Sequence, residues 1–248
     1  MGSRKLTGLT QPVRRVRAEP PVGARGWPWT IPAIKQVIDD DLDLPRVLVL
    51  VGENGSGKST LVEAIAEAYG LNPEGGSTGA QHRTHRSESP LSDALTLERG
   101  AGAARGGYFL RAETMHGFFT YLVESGFADG FHQRSHGESF LDLVASRFFT
   151  PRGAPRPGLY VLDEPESALS FASCLKLLAL LAELLEDQGA QVILATHSPV
   201  LAALPGATIL RLDADGLTPT PWEDLELVVG LKHFLADPDR TIGQLLGS

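Results

Sequence analysis

A single cysteine, Cys174, in 248 residues rules out a disulfide within the chain and agrees with a reducing compartment. Its surroundings, "SCLKLLALLAELLED", are apolar at helical spacing, so the thiol reads as a buried core group rather than a nucleophile. Long apolar segments are missing too. None approaches the ~20 consecutive residues that cross a bilayer, and Met1 leads into Arg4 and Lys5 instead of a secretory apolar core, so the expected location is the cytoplasm. Basic residues are in deficit: 22 Lys and Arg face 30 Asp and Glu, and the net charge of −8 argues against a globally basic nucleic-acid binder. One stretch departs from that balance, because Arg4, Lys5, Arg14, Arg15 and Arg17 all precede the first acid, Glu19. A solvated tail or an edge strand accounts for this run better than a phosphate or lipid contact. Repeats, heptad seams and low-complexity tracts are absent as well. Glycine and proline, 27 and 17 residues, stay below the share of roughly a quarter to a third that marks disorder, and 42% hydrophobic content supplies a sizeable core.

What is present is a series of short apolar runs bounded by turn residues and alternating with helical patterns, the mark of a parallel sheet covered by helices. The spacing predicts strands over 47–51, 108–111, 159–162, 192–195 and 208–212, and helices beginning at Lys58, at Glu113, and near Glu138, Ser170 and Glu223. The stretch 72–90 is rich in Gly, Ser, Arg and His and reads as a loop or a short antiparallel excursion. The whole chain is expected to form one α/β domain. Its core covers about 27–112 and 151–248, a small helical lobe is inserted over about 113–150, and residues 1–26 form a basic N-terminal segment.

Between the first predicted strand and helix stands "GENGSGKST": Gly52, Glu53, Asn54, Gly55, Ser56, Gly57, Lys58, Ser59 and Thr60. It matches G-x-x-x-x-G-K-[ST] in the strand–turn–helix setting that this motif needs, so the fold class is a P-loop NTPase with a mainly parallel sheet. Glycines let backbone N–H groups turn inward around a β-phosphate, where the helix N-terminus adds partial positive charge. Lys58 then bridges β- and γ-phosphates, and the Ser59 hydroxyl faces Mg²⁺. Further on, "LYVLDEPESALS" puts Asp163 and Glu164 at the end of an apolar strand, Asp163 to hold the metal and Glu164 to polarise an attacking water. Acids at a strand end also serve as caps; beside a P-loop, catalysis is the stronger reading. A third strand, in "VILATHSP", ends on His197, placed to hydrogen-bond a γ-phosphate or orient the water.

The order of these motifs, with "RSHGES" between the first and second, resembles that of the ATP-binding-cassette ATPases over roughly residues 27–212. The wording of the motifs is similar to that of the stand-alone bacterial AAA-family predicted ATPases of this class. The resemblance implies ATP and Mg²⁺ as cofactors and places Ser135 and Gly137 in the signature, which closes over ATP held by the other subunit of a head-to-tail homodimer. A helix N-cap alone would also explain Ser135. Two departures stand out. "SALS", residues 167–170, ends in Ser170 where the family commonly has Asp, and Glu113 in "YFLRAETM" stands where the family carries a magnesium-contacting glutamine. Upstream of the first strand, "WPWTIPAI" offers Trp29, or Trp27, as the adenine platform, with core packing as the alternative role.

Only 76 residues separate Lys58 from Ser135, too few for long coiled-coil arms. The leading expectation is an ATPase. The alternatives are an ATP-gated clamp or regulator for a DNA-acting or defence partner, and the ATP-binding subunit of a transporter, which needs a separate membrane chain. An Asn-Lys-x-Asp guanine-reading motif is absent, which disfavours GTP. The basic loop 81–89, "QHRTHRSES", reads as solvated, with a phosphate or protein partner as its alternative role.

Overall fold

The computed structural model describes residues 11–72, 76–77, 89–111 and 136–246, the side chains of 136–139 excepted. The chain runs β1 (Arg15–Ala18), α1 (Pro32–Asp40), β2 (Leu42–Asp43), β3 (Val47–Gly52), α2 (Lys58–Tyr69), β4 (Gly76–Ser77), α3 (Leu91–Ala94), β5 (Leu95–Glu98) and β6 (Gly107–Arg111). It continues through α4 (His136–Phe148), β7 (Gly158–Asp163), α5 (Phe171–Leu184), β8 (Ala190–Ala195), α6 (Pro199–Ala202), β9 (Thr208–Asp213), β10 (Gly216–Pro219), α7 (Glu226–Ala236) and α8 (Pro238–Leu246).

Seven strands form the main sheet in the order β10-β9-β3-β8-β7-β6-β4. The five inner strands are parallel, and β10 and β4 close the edges antiparallel. Parallel strands buried on both faces read as near-continuous apolar runs, and β3, β7 and β8 do, interrupted only by Gln191 in β8 and by Asp163 at the end of β7. Their side chains alternate between two cores. Leu48, Leu50, Val161, Ile193 and Ala195 face α1 and α2, while Val49, Val51, Tyr160, Leu162 and Leu194 face α4 and α5. Register sets neighbouring strand ends level: Leu50 pairs with Ala195, and Asp163 also pairs with Ala195. All three loops of chemical interest therefore leave the C-terminal end of the parallel strands. None of the helices among the described residues is long and apolar enough to cross a membrane.

The N-terminal segment departs from the expected solvated tail or edge strand. β1 is the central strand of a small antiparallel sheet, β2-β1-β5, and Val13 and Val16 are fully buried. Gln191 at the start of β8 is fully buried and holds this segment to the main sheet. It accepts the Val13 N–H at 2.8 Å and donates to Val13 O at 2.8 Å and Pro45 O at 3.0 Å. The basic run is answered by acids from other elements. Arg15 Nε donates to Asp43 at 2.6 Å, Arg17 lies 3.3 Å from Asp41, and Arg14 and Arg17 each reach Glu98 at 3.9 Å. Of the expected helical lobe, α4 is described, while the helix expected from Glu113 and the loop 81–88 lie outside the described residues.

Candidate active site

The P-loop joins β3 to α2 and depends on glycine at two points. Gly57, at φ 99°, is the N-cap of α2, and a Cβ there would stand 2.6 Å from Ile31 Cγ2. Gly52 leaves the sheet so close to β9 that a Cβ would meet Leu212 O at 2.4 Å. A side chain at either position forces Ile31 or β9 to shift, so the loop is held between Ile31 on one side and β9 on the other. Residues Glu53, Asn54, Gly55 and Ser56 form its arch, and Thr60 follows in the first turn of α2.

Lys58 is 3% exposed, and its ammonium donates to Gly52 O at 2.9 Å and Glu53 O at 3.0 Å, bracing the arch from inside. Burial pulls its pKa down, against Glu164, Asp163 and Glu166, whose charges hold the proton on. Ser59 donates its hydroxyl to Asp163 Oδ1 at 3.0 Å, joining α2 to the end of β7. Burial also raises the Asp163 pKa to about 6; the Ser59 hydroxyl and Arg111 oppose that rise, and Glu164 and Glu63 add to it.

Glu164 follows Asp163 in the left-handed region, φ 47° and ψ 49°, which costs a non-glycine residue about 1 kcal/mol or more. The strain turns the carboxylate out of the strand direction. Its backbone N–H donates to Ala195 O at 2.9 Å, and its carbonyl accepts the Ser167 hydroxyl at 3.0 Å. Glu164 Oε1 lies 3.1 Å from His197 Nε2 and 4.0 Å from Lys58 Nζ. The two side chains are 37% and 36% exposed, so solvent water reaches the pair.

His197 sits between β8 and α6, where the Thr196 N–H makes the last bond to β3 at Leu50 O, 3.0 Å, and Ser198 accepts from Leu201 N at 3.4 Å as the N-cap of α6. The backbone N–H of His197 donates to Glu166 Oε1. Ser170 is the N-cap of α5 and accepts the Ser173 N–H at 3.2 Å.

A cleft of about 920 Å³ opens beside the arch, walled by Ile31, Pro32, residues 52–56, His197 and Arg211, with Leu227 and Leu231 of α7 opposite. Trp29 is not part of this wall; it packs, half-buried, against the core cluster, and Trp27 is exposed. The structure thus brings together Gly52, Lys58, Ser59, Asp163, Glu164 and His197. Gly137 lies in the first turn of α4, while Ser135 and Glu113 fall outside the described residues. Within the stretch "WPWTIPAI" it is Ile31 and Pro32 rather than the tryptophans that line the cleft, and Pro32 at the start of a periodic apolar run is a legible helix start. No local pattern singles out Glu166, which holds the His197 amide, or Arg211, which lines the cleft.

Two family models match the chain. The one described as "ABC transporter" covers residues 37–97, which include the P-loop, and the one described as "AAA domain, putative AbiEii toxin, Type IV TA system" covers 121–203, which include Asp163, Glu164 and His197. The chain is 30% identical over 193 residues to the aliphatic sulfonates import ATP-binding protein SsuB 2 of Rhodococcus jostii, covering 72% of this chain and 73% of that one. It is 33% identical over 175 residues to a Streptomyces avermitilis protein named as an ABC transporter ATP-binding protein, covering 64% of this chain and 30% of that one. To the zinc import ATP-binding protein ZnuC of Vibrio vulnificus it is 28% identical over 170 residues, 66% of this chain and 62% of that one. The chain therefore spans less than two thirds of the length of these last two relatives.

Proposed function

The chain belongs to the ABC class of ATP-binding proteins, and on that premise we propose that it hydrolyses ATP to ADP and phosphate between two copies of itself. The observation that carries this reading is the convergence of Glu164, His197 and Lys58: a carboxylate with water access stands 3.1 Å from an imidazole and 4.0 Å from the P-loop ammonium.

Each residue has a part. Backbone N–H groups of 54–59 and the N-terminus of α2 receive the β-phosphate, and Lys58 neutralises charge between β- and γ-phosphates. Glu164 accepts a proton from the attacking water, and His197 orients that water and holds the Glu164 carboxylate. Mg²⁺ fits the Ser59 hydroxyl and the Asp163 carboxylate. Both are hard oxygen donors, and burial raises the Asp163 pKa to about 6 in spite of Arg111, so a divalent cation here would stabilise the ionised carboxylate. Among the described residues no cluster of three or more His, Cys, Asp or Glu makes a ready metal cage, so these two oxygens are to be supplemented by phosphate and water, as Mg²⁺ sites usually are. When bound, the ion supplies charge neutralisation across the phosphate oxygens. Ser135 and Gly137 of a second copy complete the site from the opposite side. The base of ATP is to lie in the cleft against Ile31 and Pro32.

Steady-state phosphate release with Mg–ATP tests this. Glu164→Gln is expected to lower kcat about 100-fold or more with ATP affinity kept, and Lys58→Ala to lose most nucleotide binding. Turnover by Glu164→Gln at the wild-type rate would remove Glu164 from its role.

A transporter subunit is a second reading, favoured by relatives named as import ATP-binding proteins. Co-purification with a membrane-spanning chain supports it. A clamp or regulator for a defence or DNA-acting partner is favoured by the toxin–antitoxin description of the match over 121–203, and is supported if nucleic acid or a protein partner raises turnover.

A further inference from the structure

Glu166 lies in the single 3-10 turn Pro165–Ala168 that follows Glu164. That turn is stiff: Pro165 fixes φ at its first position, Ser167 N–H donates to Glu164 O at 3.1 Å, and Leu169 N–H donates to Glu166 O at 3.0 Å. From this rigid base the Glu166 carboxylate reaches the neighbouring strand end, where Oε1 accepts the backbone N–H of His197. The amide it takes is the first one beyond the sheet. Thr196 N–H is spent on Leu50 O, and Ser198 N–H on Thr196 Oγ1 at 2.9 Å. A carboxylate acceptor makes this a charge-assisted bond, roughly twice as strong as a neutral one.

The second oxygen of Glu166, Oε2, is buried without a hydrogen-bond partner among the described residues. Keeping an acid there is costly, since a neutral acceptor would satisfy the His197 amide with less desolvation. The same side chain contributes to the field at Lys58.

We infer that Glu166 is a positioning residue: it anchors the His197 backbone so that the imidazole stands against Glu164, and it ties that contact to the segment 167–170. The carboxylate that serves as base and the one that places its histidine partner then belong to one turn of chain, so a shift of 167–170 moves both together. The kinetic consequence rests on the ATPase reading above; the anchoring does not.

Two measurements decide it, both on the full chain. In the first, amide hydrogen exchange at His197 is followed in nucleotide-free protein. Exchange is expected to quicken about tenfold or more in Glu166→Ala and to stay within about twofold of wild type in Glu166→Gln, whose amide oxygen keeps the acceptor. Equal exchange in wild type and Glu166→Ala overturns the inference. In the second, kcat is expected to fall about tenfold or more in Glu166→Ala with KM for ATP within about twofold, and to fall no further when that change is added to His197→Ala. A wild-type kcat, or a loss that adds in full to that of His197→Ala, overturns it. If the wild-type chain turns over no ATP, the ATPase reading fails while the exchange experiment still decides the role of Glu166.

Discussion

Asp163 carries an electrostatic cost into the folded state. Its pKa rises from 3.8 to about 6 because it is buried, so between those values the folded chain holds a proton that the unfolded chain releases. Stability contributed by this group is full below about pH 4 and falls as pH climbs to about 6, beyond which the ionised carboxylate costs on the order of 2–3 kcal/mol. Asp163→Asn, which can still accept from Ser59, is therefore expected to raise the melting temperature of the nucleotide-free protein at about pH 8 and to make little difference near about pH 4. The same change removes a proposed Mg²⁺ ligand and should weaken Mg–ATP binding. Thermal melts at the two pH values check this, and an unchanged melting temperature at the higher one would contradict it. At this scale the site was largely legible: Lys58, Ser59, Asp163, Glu164 and His197 follow from motifs whose chemistry dictates residue type and spacing. Glu166 was not, because its bond is to a backbone amide 31 residues away. Trp29 was singled out for its ring, yet the wall beside Gly57 is aliphatic Ile31.

The elements that show in the sequence are those whose burial leaves a continuous record. β3, β7 and β8 are buried at nearly every position, so their apolar runs stand out. The small sheet leaves none. β2 has two residues, β1 four, and β1 meets β5 across a gap of some 80 residues, with Arg15 opposite Glu98. No local pattern encodes such a pairing, and the acids that neutralise the basic run lie at 41, 43 and 98. The helix expected from Glu223 starts at Glu226, because Trp222–Asp224 make a 3-10 turn first and Leu225 takes the N-cap place. The junction of β3 and α2 is the element most exposed to a single change. Gly57→Ala forces a Cβ into Ile31 at 2.6 Å and a side chain into φ 99°. Urea unfolding should show a loss of about 1–3 kcal/mol, and titration with ATP a loss of affinity of about tenfold or more. A variant with wild-type stability and affinity would mean that the loop is not held as described.

Across the whole molecule, the parallel order of the sheet delivers the P-loop, Asp163 and Glu164, and His197 to the C-terminal end of its strands, where Glu164 and His197 are about a third open to solvent. Such a site meets a triphosphate from one side only. In the proposed dimer its twin supplies Ser135 and Gly137 from the other, so hydrolysis should depend on protein concentration. Slowing hydrolysis while leaving nucleotide binding intact then separates closure from turnover. The molar mass of Glu164→Gln in Mg–ATP, taken by light scattering, tests this most directly. The account predicts twice the 26.5 kDa of the single chain with ATP and a single chain without it, and an ATP-loaded species that stays at 26.5 kDa would contradict it.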